Sequence, residues 1–196
     1  LADRVRLIMI GLGFTGVMNF ILTNERVHYE LMRMEPGDPI RLANPVSAEY
    51  SMLRELLLPG LMANLSVNVR ERYPQKLFEV GDVVLRAKQA TGPWASETKA
   101  ERRLHLAAVV AHSRAGYAEV KGYLDALVAG LGISDWDVEA TEHPSFLPGR
   151  VAEVRIRGQE AGLVGEIHPE VLVNFGLENP VAAFELDLSP LLSPTR

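Results

Sequence analysis

The sequence predicts an α+β fold, an antiparallel β-sheet flanked by helices, on three observations. Ala152, Val154 and Ile156 alternate with Glu153, Arg155 and Arg157, and Ala182, Phe184, Leu186 and Leu188 alternate against Ala183, Glu185 and Asp187. A period of two gives a strand one apolar and one polar face, the mark of antiparallel sheets. Turn signals at Gly81-Asp82 and over 158–162 join neighbouring strand segments as hairpins do. Finally, Val120, Leu124, Leu127, Val128 and Leu131 share one face of a segment that ends at Gly132, which is an amphipathic helix with a glycine cap. Helices interspersed with alternating strands argue against a doubly wound parallel sheet.

Taken in order, residues 2–12 form the first helix, with Gly13 as its left-handed cap. Residues 15–23 follow as a buried strand, with the β-branched and aromatic character of Val17, Phe20 and Ile21. Asn24 caps a short helix through Met32, and Glu25 in its first turn suits the helix dipole. The cluster 35–39 ends it; 40–43 is a short extended piece, and Asn44-Pro45 turns the chain. Ser47 or Ser51 caps a helical stretch to about Arg72, interrupted at Pro59, which opens a second helix at N1. In that helix Leu58, Met62, Leu65 and Val69 recur as one stripe, facing core or a partner.

Residues 76–86 are strand, broken by Gly81-Asp82 as a hairpin turn or bulge. Residues 88–103, with Gly, Pro, Ser and charge around Trp94, read as an exposed loop, and 104–112 as a strand buried on both faces. After the helix over 117–131, strands are expected at 137–141, 152–156, 163–167 and 182–188, the last with Glu185 and Asp187 on a wet face. His168-Pro169-Glu170 opens a short helix ending near Gly176. Without a repeat or a linker, residues 1–196 form a single module.

Composition narrows the function classes. The 196 residues are 47% hydrophobic with 20 basic and 25 acidic side chains, net charge −5, an ordinary globular balance whose core needs no staples. Zero cysteine excludes disulfide frameworks, thiol catalysis and thiolate metal sites, and fits a reducing compartment. The acidic balance gives no global basic field, so any RNA contact is local or shared with a partner. Residues 7–24 carry no charge, but Gly11, Gly13, Gly16 and Asn19 interrupt the run and no cleavage pattern follows, so no membrane segment is expected. Leu1 is not an initiator methionine, as expected of a fragment of a longer protein.

The chemistry-bearing motifs each have a bland competitor. Gly11-Leu-Gly13-Phe-Thr-Gly16 matches the dinucleotide pattern G-x-G-x-x-G, but that motif opens a helix, whereas here it closes one. The histidines His28, His105, His112, His143 and His168 include no i, i+4 pair, so no metal site is expected. No nucleophile elbow or P-loop exists. Glu185 and Asp187 lie about 6 to 7 Å apart along one strand face, a spacing that suits an acid/base pair. The alternation favours a plain solvated surface for them. Arg70 with Arg72, Arg102-Arg103 and Arg155 with Arg157 read as solvated faces, with no stacking aromatics interleaved.

Several segments, in order, carry a family resemblance: Asn44-Pro-Val-Ser-Ala-Glu-Tyr-Ser51-Met-Leu-Arg54, Leu57-Leu-Pro59-Gly-Leu61, Leu77-Phe-Glu79-Val-Gly81, Tyr117-Ala-Glu-Val-Lys121-Gly122, His143-Pro-Ser-Phe-Leu-Pro-Gly149-Arg150, Gly165-Glu-Ile-His168-Pro-Glu170-Val and Phe184-Glu-Leu-Asp187. Together they resemble the catalytic-like module of phenylalanyl-tRNA synthetase β subunits. That resemblance implies a class II aminoacyl-tRNA synthetase-like fold. It implies a cytoplasmic (αβ)₂ enzyme in which the α subunit uses ATP and Mg to make phenylalanyl-adenylate and charges tRNA(Phe). For this module it implies a degenerate copy packed against α, with no catalytic, cofactor or metal residues of its own. Ending just after Leu192 without an anticodon-binding domain, the chain resembles the archaeal and eukaryotic form.

A physical check supports the degeneracy. Class II chemistry grips ATP phosphates with guanidinium groups, which match phosphate oxygens in a bidentate way. Where active members of the class carry arginine, this chain reads Phe184-Glu185-Leu186-Asp187-Leu188-Ser189-Pro190, and Leu77 stands two positions before Glu79. The expected partner surface combines the first helix and the 52–69 stripe: Leu7, Ile10, Met52, Leu53, Leu56, Met62, Leu65 and Val69. Core packing within the chain is the alternative for each. The rival functions are a nucleotide-binding enzyme, using the glycine run or a class II pocket, and a free-standing amino-acid sensor.

Overall fold

The computed structural model describes residues 1–87 and 99–192. Helix α1 (Ala2–Gly11) ends at Leu12 and turns through Gly13 at φ +83° into β1 (Thr15–Gly16). Lys76 secures that turn: its ammonium donates to the Leu12 carbonyl at 3.3 Å and lies over the rings of Phe14 and Tyr123. A two-stranded ribbon pairs β2 (Leu22–Thr23) with β3 (Met52–Leu53), and between them lie a π-helical turn, Arg26–Glu30, and a 3₁₀ turn, Ala48–Tyr50. Helix α2 (Leu58–Val67) precedes the long hairpin partners β4 (Gln75–Arg86) and β5 (Ala100–Ala111). Then come α3 (Tyr117–Leu131), β6 (Trp136–Ala140), β7 (Phe146–Ile156), β8 (Gln159–Ile167), α4 (Pro169–Asn174), β9 (Val181–Asp187) and α5 (Ser189–Leu192).

The main sheet runs β1-β4-β5-β9-β8-β7-β6. Every neighbouring pair is antiparallel except β1 with β4, which is parallel at the sheet edge. Alternation along β5 divides the interior into two cores. Leu106, Ala108 and Val110 pack with α1 and α3; Ala107, Val109 and Ala111 pack with α2 and the segment around Met32. Strand β5 is buried on both faces from His105 to Ala111, as its apolar run predicts.

Several elements match the sequence reading closely. Tyr117–Leu131 is helical and closes on Gly132 at φ +75°. Asn24 Oδ1 accepts from the Val27 amide at 2.9 Å. Ser47 accepts from the Glu49 amide, but the turn it caps is only Ala48–Tyr50; the helical stretch expected from there to about Arg72 is confined to Leu58–Val67. Others are corrected. Residues 15–23 are not a buried strand: two short pairings flank an exposed stretch in which Met18 is 94% and Phe20 76% exposed. Met52 and Leu53 are strand rather than helix: they pair in register with β2, the flanking Ser51 and Arg54 amides donate to the Thr23 and Ile21 carbonyls, and the Leu53 amide donates to Ile40 on the other side. The loop expected over 88–103 is strand from Ala100 onward, paired to β4; its 88–98 portion, with Trp94, lies outside the described residues.

Gly81-Asp82 neither turns nor bulges the chain; β4 pairs with β5 in continuous register through both, Gly81 opposite His105. The glycine has a packing reason. A Cβ there would stand 2.5 Å from an Arg54 guanidinium nitrogen, so the missing side chain makes room for an arginine crossing the strand.

Candidate functional site

The polar groups of the sheet converge on the face that carries α2. Glu185, read from alternation as solvent-facing, is only 7% exposed. Its Oε1 accepts from the Leu57 amide at 2.9 Å and its Oε2 from the Leu58 amide at 2.8 Å. A carboxylate from β9 therefore caps the first turn of α2, where unpaired N–H groups and the helix dipole favour negative charge. Its Oε1 also meets His105 Nδ1 at 2.7 Å. A carboxylate only accepts, so Nδ1 carries the hydrogen.

Beside it lies a second buried cluster. Arg54 Nη1 donates to Glu79 Oε1 at 2.7 Å, and Arg54 Nε donates to the Asp82 carbonyl at 2.9 Å. Glu79 is further filled by Asn19, whose Nδ2 donates to Oε2 at 2.7 Å and whose backbone amide reaches Oε1 at 3.3 Å. His28, buried behind them, accepts from the Glu55 amide at Nε2. Burial holds its pKa down to about 4, against an upward pull from Glu185, with Arg54 adding to the lowering. Tyr29 donates to Glu55, and burial together with that hydrogen bond raises its pKa.

The face is thus not without arginine, as the sequence reading expected; it holds Arg54 and Arg103. Both are already engaged. Arg103 donates to Glu101 at 2.9 Å and to Asp187 at 3.1 Å, and its pKa is raised chiefly by the Glu101 hydrogen bond. Neighbouring Arg102 is largely exposed and stands 3.7 Å from Asp82. Asp187 also accepts from the Ser189 amide at 2.7 Å. The Glu185/Asp187 pair therefore has structural partners for both carboxylates. Among the described residues, no group of three or more His, Asp or Glu side chains is placed to hold a metal ion. No described helix is long and apolar enough to cross a membrane.

The glycine run carries no nucleotide site: Gly11 ends α1, Gly13 turns the chain and Gly16 lies in a two-residue strand, so no helix N-terminus follows them. The residues expected at a partner surface separate into two sets. Met52, Met62 and Leu65 are fully buried in this chain's own interior and have no surface to offer; α2 turns its stripe onto the sheet. Leu7 and Ile10 on α1 are 71% and 59% exposed, and Val69, beyond the end of α2, is also exposed. Leu53 and Leu56 are half-buried, with Leu56 lining hollows on both of its sides.

The sequence reading missed the exposed Met18 and Phe20, the Arg54–Glu79–Asn19 cluster and the burial of Glu185. Gly81 inside a strand pattern was the available signal for the second, since a strand glycine marks close approach as readily as a bulge.

The fold and sequence have known counterparts. A structure of Desulfitobacterium hafniense PylSc, a pyrrolysyl tRNA synthetase, superposes with a TM-score of 0.75 at 13% identity, covering 97% of this chain and 66% of that one. The phenylalanine–tRNA ligase β subunit of Thermococcus onnurineus is 43% identical over 202 residues, covering 96% of this chain and 34% of the relative. That of Archaeoglobus fulgidus is 44% identical over 186 residues, covering 93% and 31%. The chain spans about a third of the length of these curated relatives. The family model of the phenylalanyl tRNA synthetase beta chain CLM domain matches residues 1–188. With that match running through both cores and the Glu185 clamp, the chain belongs to the CLM-domain family of phenylalanyl-tRNA synthetase β chains.

Proposed function

We propose that the chain is a non-catalytic module of the β subunit of phenylalanine–tRNA ligase that packs against the α subunit. On this reading α supplies the ATP- and Mg-dependent activation of phenylalanine, and tRNA(Phe) is held by the cytoplasmic assembly as a whole. The observation that carries the non-catalytic role is the engagement of Arg54 and Arg103 by Glu79, Glu101 and Asp187. A triphosphate arriving at this face would have to displace carboxylates from both guanidinium groups, and Glu185 and Asp187 would repel it.

The scaffolding role rests on apolar side chains left in water. Met18 is almost fully exposed and Phe20 about three-quarters so, and Phe20 meets Tyr50 edge-on at 5.7 Å. Both rings line a hollow of about 730 Å³ that includes Leu22, Leu56 and Ala63. Leu7 and Ile10 form a separate exposed pair on α1. Large exposed apolar side chains at such sites mark interaction surfaces.

Co-elution with the α subunit tests this. The native sequence should co-elute, and a Met18→Asp/Phe20→Asp variant, altered only at exposed positions, should keep its circular dichroism and lose α. Failure of the native chain to co-elute, or unchanged co-elution of this variant and of Leu7→Asp/Ile10→Asp, overturns it.

A further inference from the structure

A second cavity, of about 340 Å³, opens where the ends of β5, β8 and β9 meet the segments around Met32 and Glu55. His105, in its wall, is only 7% exposed, and with Nδ1–H committed to Glu185, its Nε2 has no hydrogen-bond partner among the described residues. A buried polar atom left unmatched is costly, and a ligand group that pairs with it recovers that cost. With Nδ1–H given to Glu185, the Nε2 of a neutral imidazole carries the lone pair, so the matching group is a donor.

The charges around the cavity point the same way. Among the described residues Glu55, Glu160, Glu185 and Asp187 line it against one arginine, Arg103, which is itself bound by two carboxylates. The remaining wall is largely apolar, with Met32, Met34, Leu56, Leu58 and Phe146. The volume falls in the range of small-ligand pockets, about 300–1,000 Å³. We propose that this cavity binds a small protonated primary amine on an apolar body, the N–H donating to His105 Nε2 and the charge facing the carboxylates. Phosphates and carboxylic acids are excluded by the same electrostatics. The proposal stands apart from the α-subunit reading, since it uses neither Phe20 nor α1.

The test uses two probes of like shape and opposite charge, 2-phenylethylamine and 3-phenylpropionate, titrated calorimetrically into the protein. We expect saturable binding of the amine and none of the acid up to about 10 mM, the weak end of measurable affinity. His105→Asn keeps a donor to Glu185 and removes Nε2, so amine affinity should fall about tenfold, equivalent to one hydrogen bond of about 1.4 kcal/mol. Glu160 is exposed, so Glu160→Lys leaves the fold intact and should also weaken the amine several-fold. Equal or tighter binding of the acid, absence of saturable amine binding, or amine binding untouched by either substitution overturns the proposal.

Discussion

Arg54 and Glu79 form an ion pair 2.7 Å long with both side chains buried, 8% and 2% exposed. It is the point where the segment leading into α2 is fastened to β4, and Asn19 ties the exposed 15–23 stretch to the same carboxylate. Removing one partner leaves a buried charge without its counterion, at a cost of about 3–5 kcal/mol. Glu79→Leu should therefore lower unfolding free energy by about that amount in urea, and adding Arg54→Met should restore much of it. A loss under about 1 kcal/mol for the single variant would mean that the pair is solvated rather than buried.

Acid sensitivity follows from His28. Its folded-state pKa of about 4 lies below the ordinary 6.5, because burial disfavours the charged ring. Between those values the unfolded chain takes up a proton that the folded chain refuses. Stability from this group is therefore full above pH 6.5, falls as pH drops toward 4 and is level below that. The total is about 3 kcal/mol. His28→Gln keeps an acceptor for the Glu55 amide but does not titrate. Chemical denaturation between pH 7 and 4 should show a shallower loss in that variant; parallel curves would contradict the assignment.

Two glycines should respond in opposite directions to alanine. At Gly81 a methyl group would meet the Arg54 guanidinium at 2.5 Å, and Gly81→Ala should destabilise by about 1–3 kcal/mol as the buried pair is pushed aside. Gly122 lies inside α3, and a methyl group there would have no neighbour within 4 Å. Gly122→Ala should stabilise by about 0.5–1 kcal/mol through helix propensity alone. Thermal melts of the two variants check both signs.

What could be read from sequence divides along physical lines. Elements governed by local periodicity were legible: α3 shows its apolar face and its glycine cap, and β7 shows a period of two across residues 152–156. Elements governed by distant partners were not. Glu185 alternates like a solvent-facing residue, and the Leu57 and Leu58 amides, more than a hundred residues earlier in the chain, together with His105 explain its burial. Met52 and Leu53 continue an apolar run that reads as helix, yet β2 captures their backbone. Arg103 reads as part of a solvated basic pair, until Asp187 is brought across the sheet to meet it. The Glu185/Asp187 pair was thus legible from strand alternation, whereas the Arg54–Glu79–Asn19 cluster and the neutralisation of both carboxylates were not, because each depends on partners brought in from distant segments.

Titration of Mg·ATP into the purified chain by calorimetry tests the non-catalytic account most directly. With Arg54 and Arg103 held by carboxylates, no saturable heat is expected up to about 10 mM nucleotide. Stoichiometric ATP binding that disappears in Arg103→Met would contradict it.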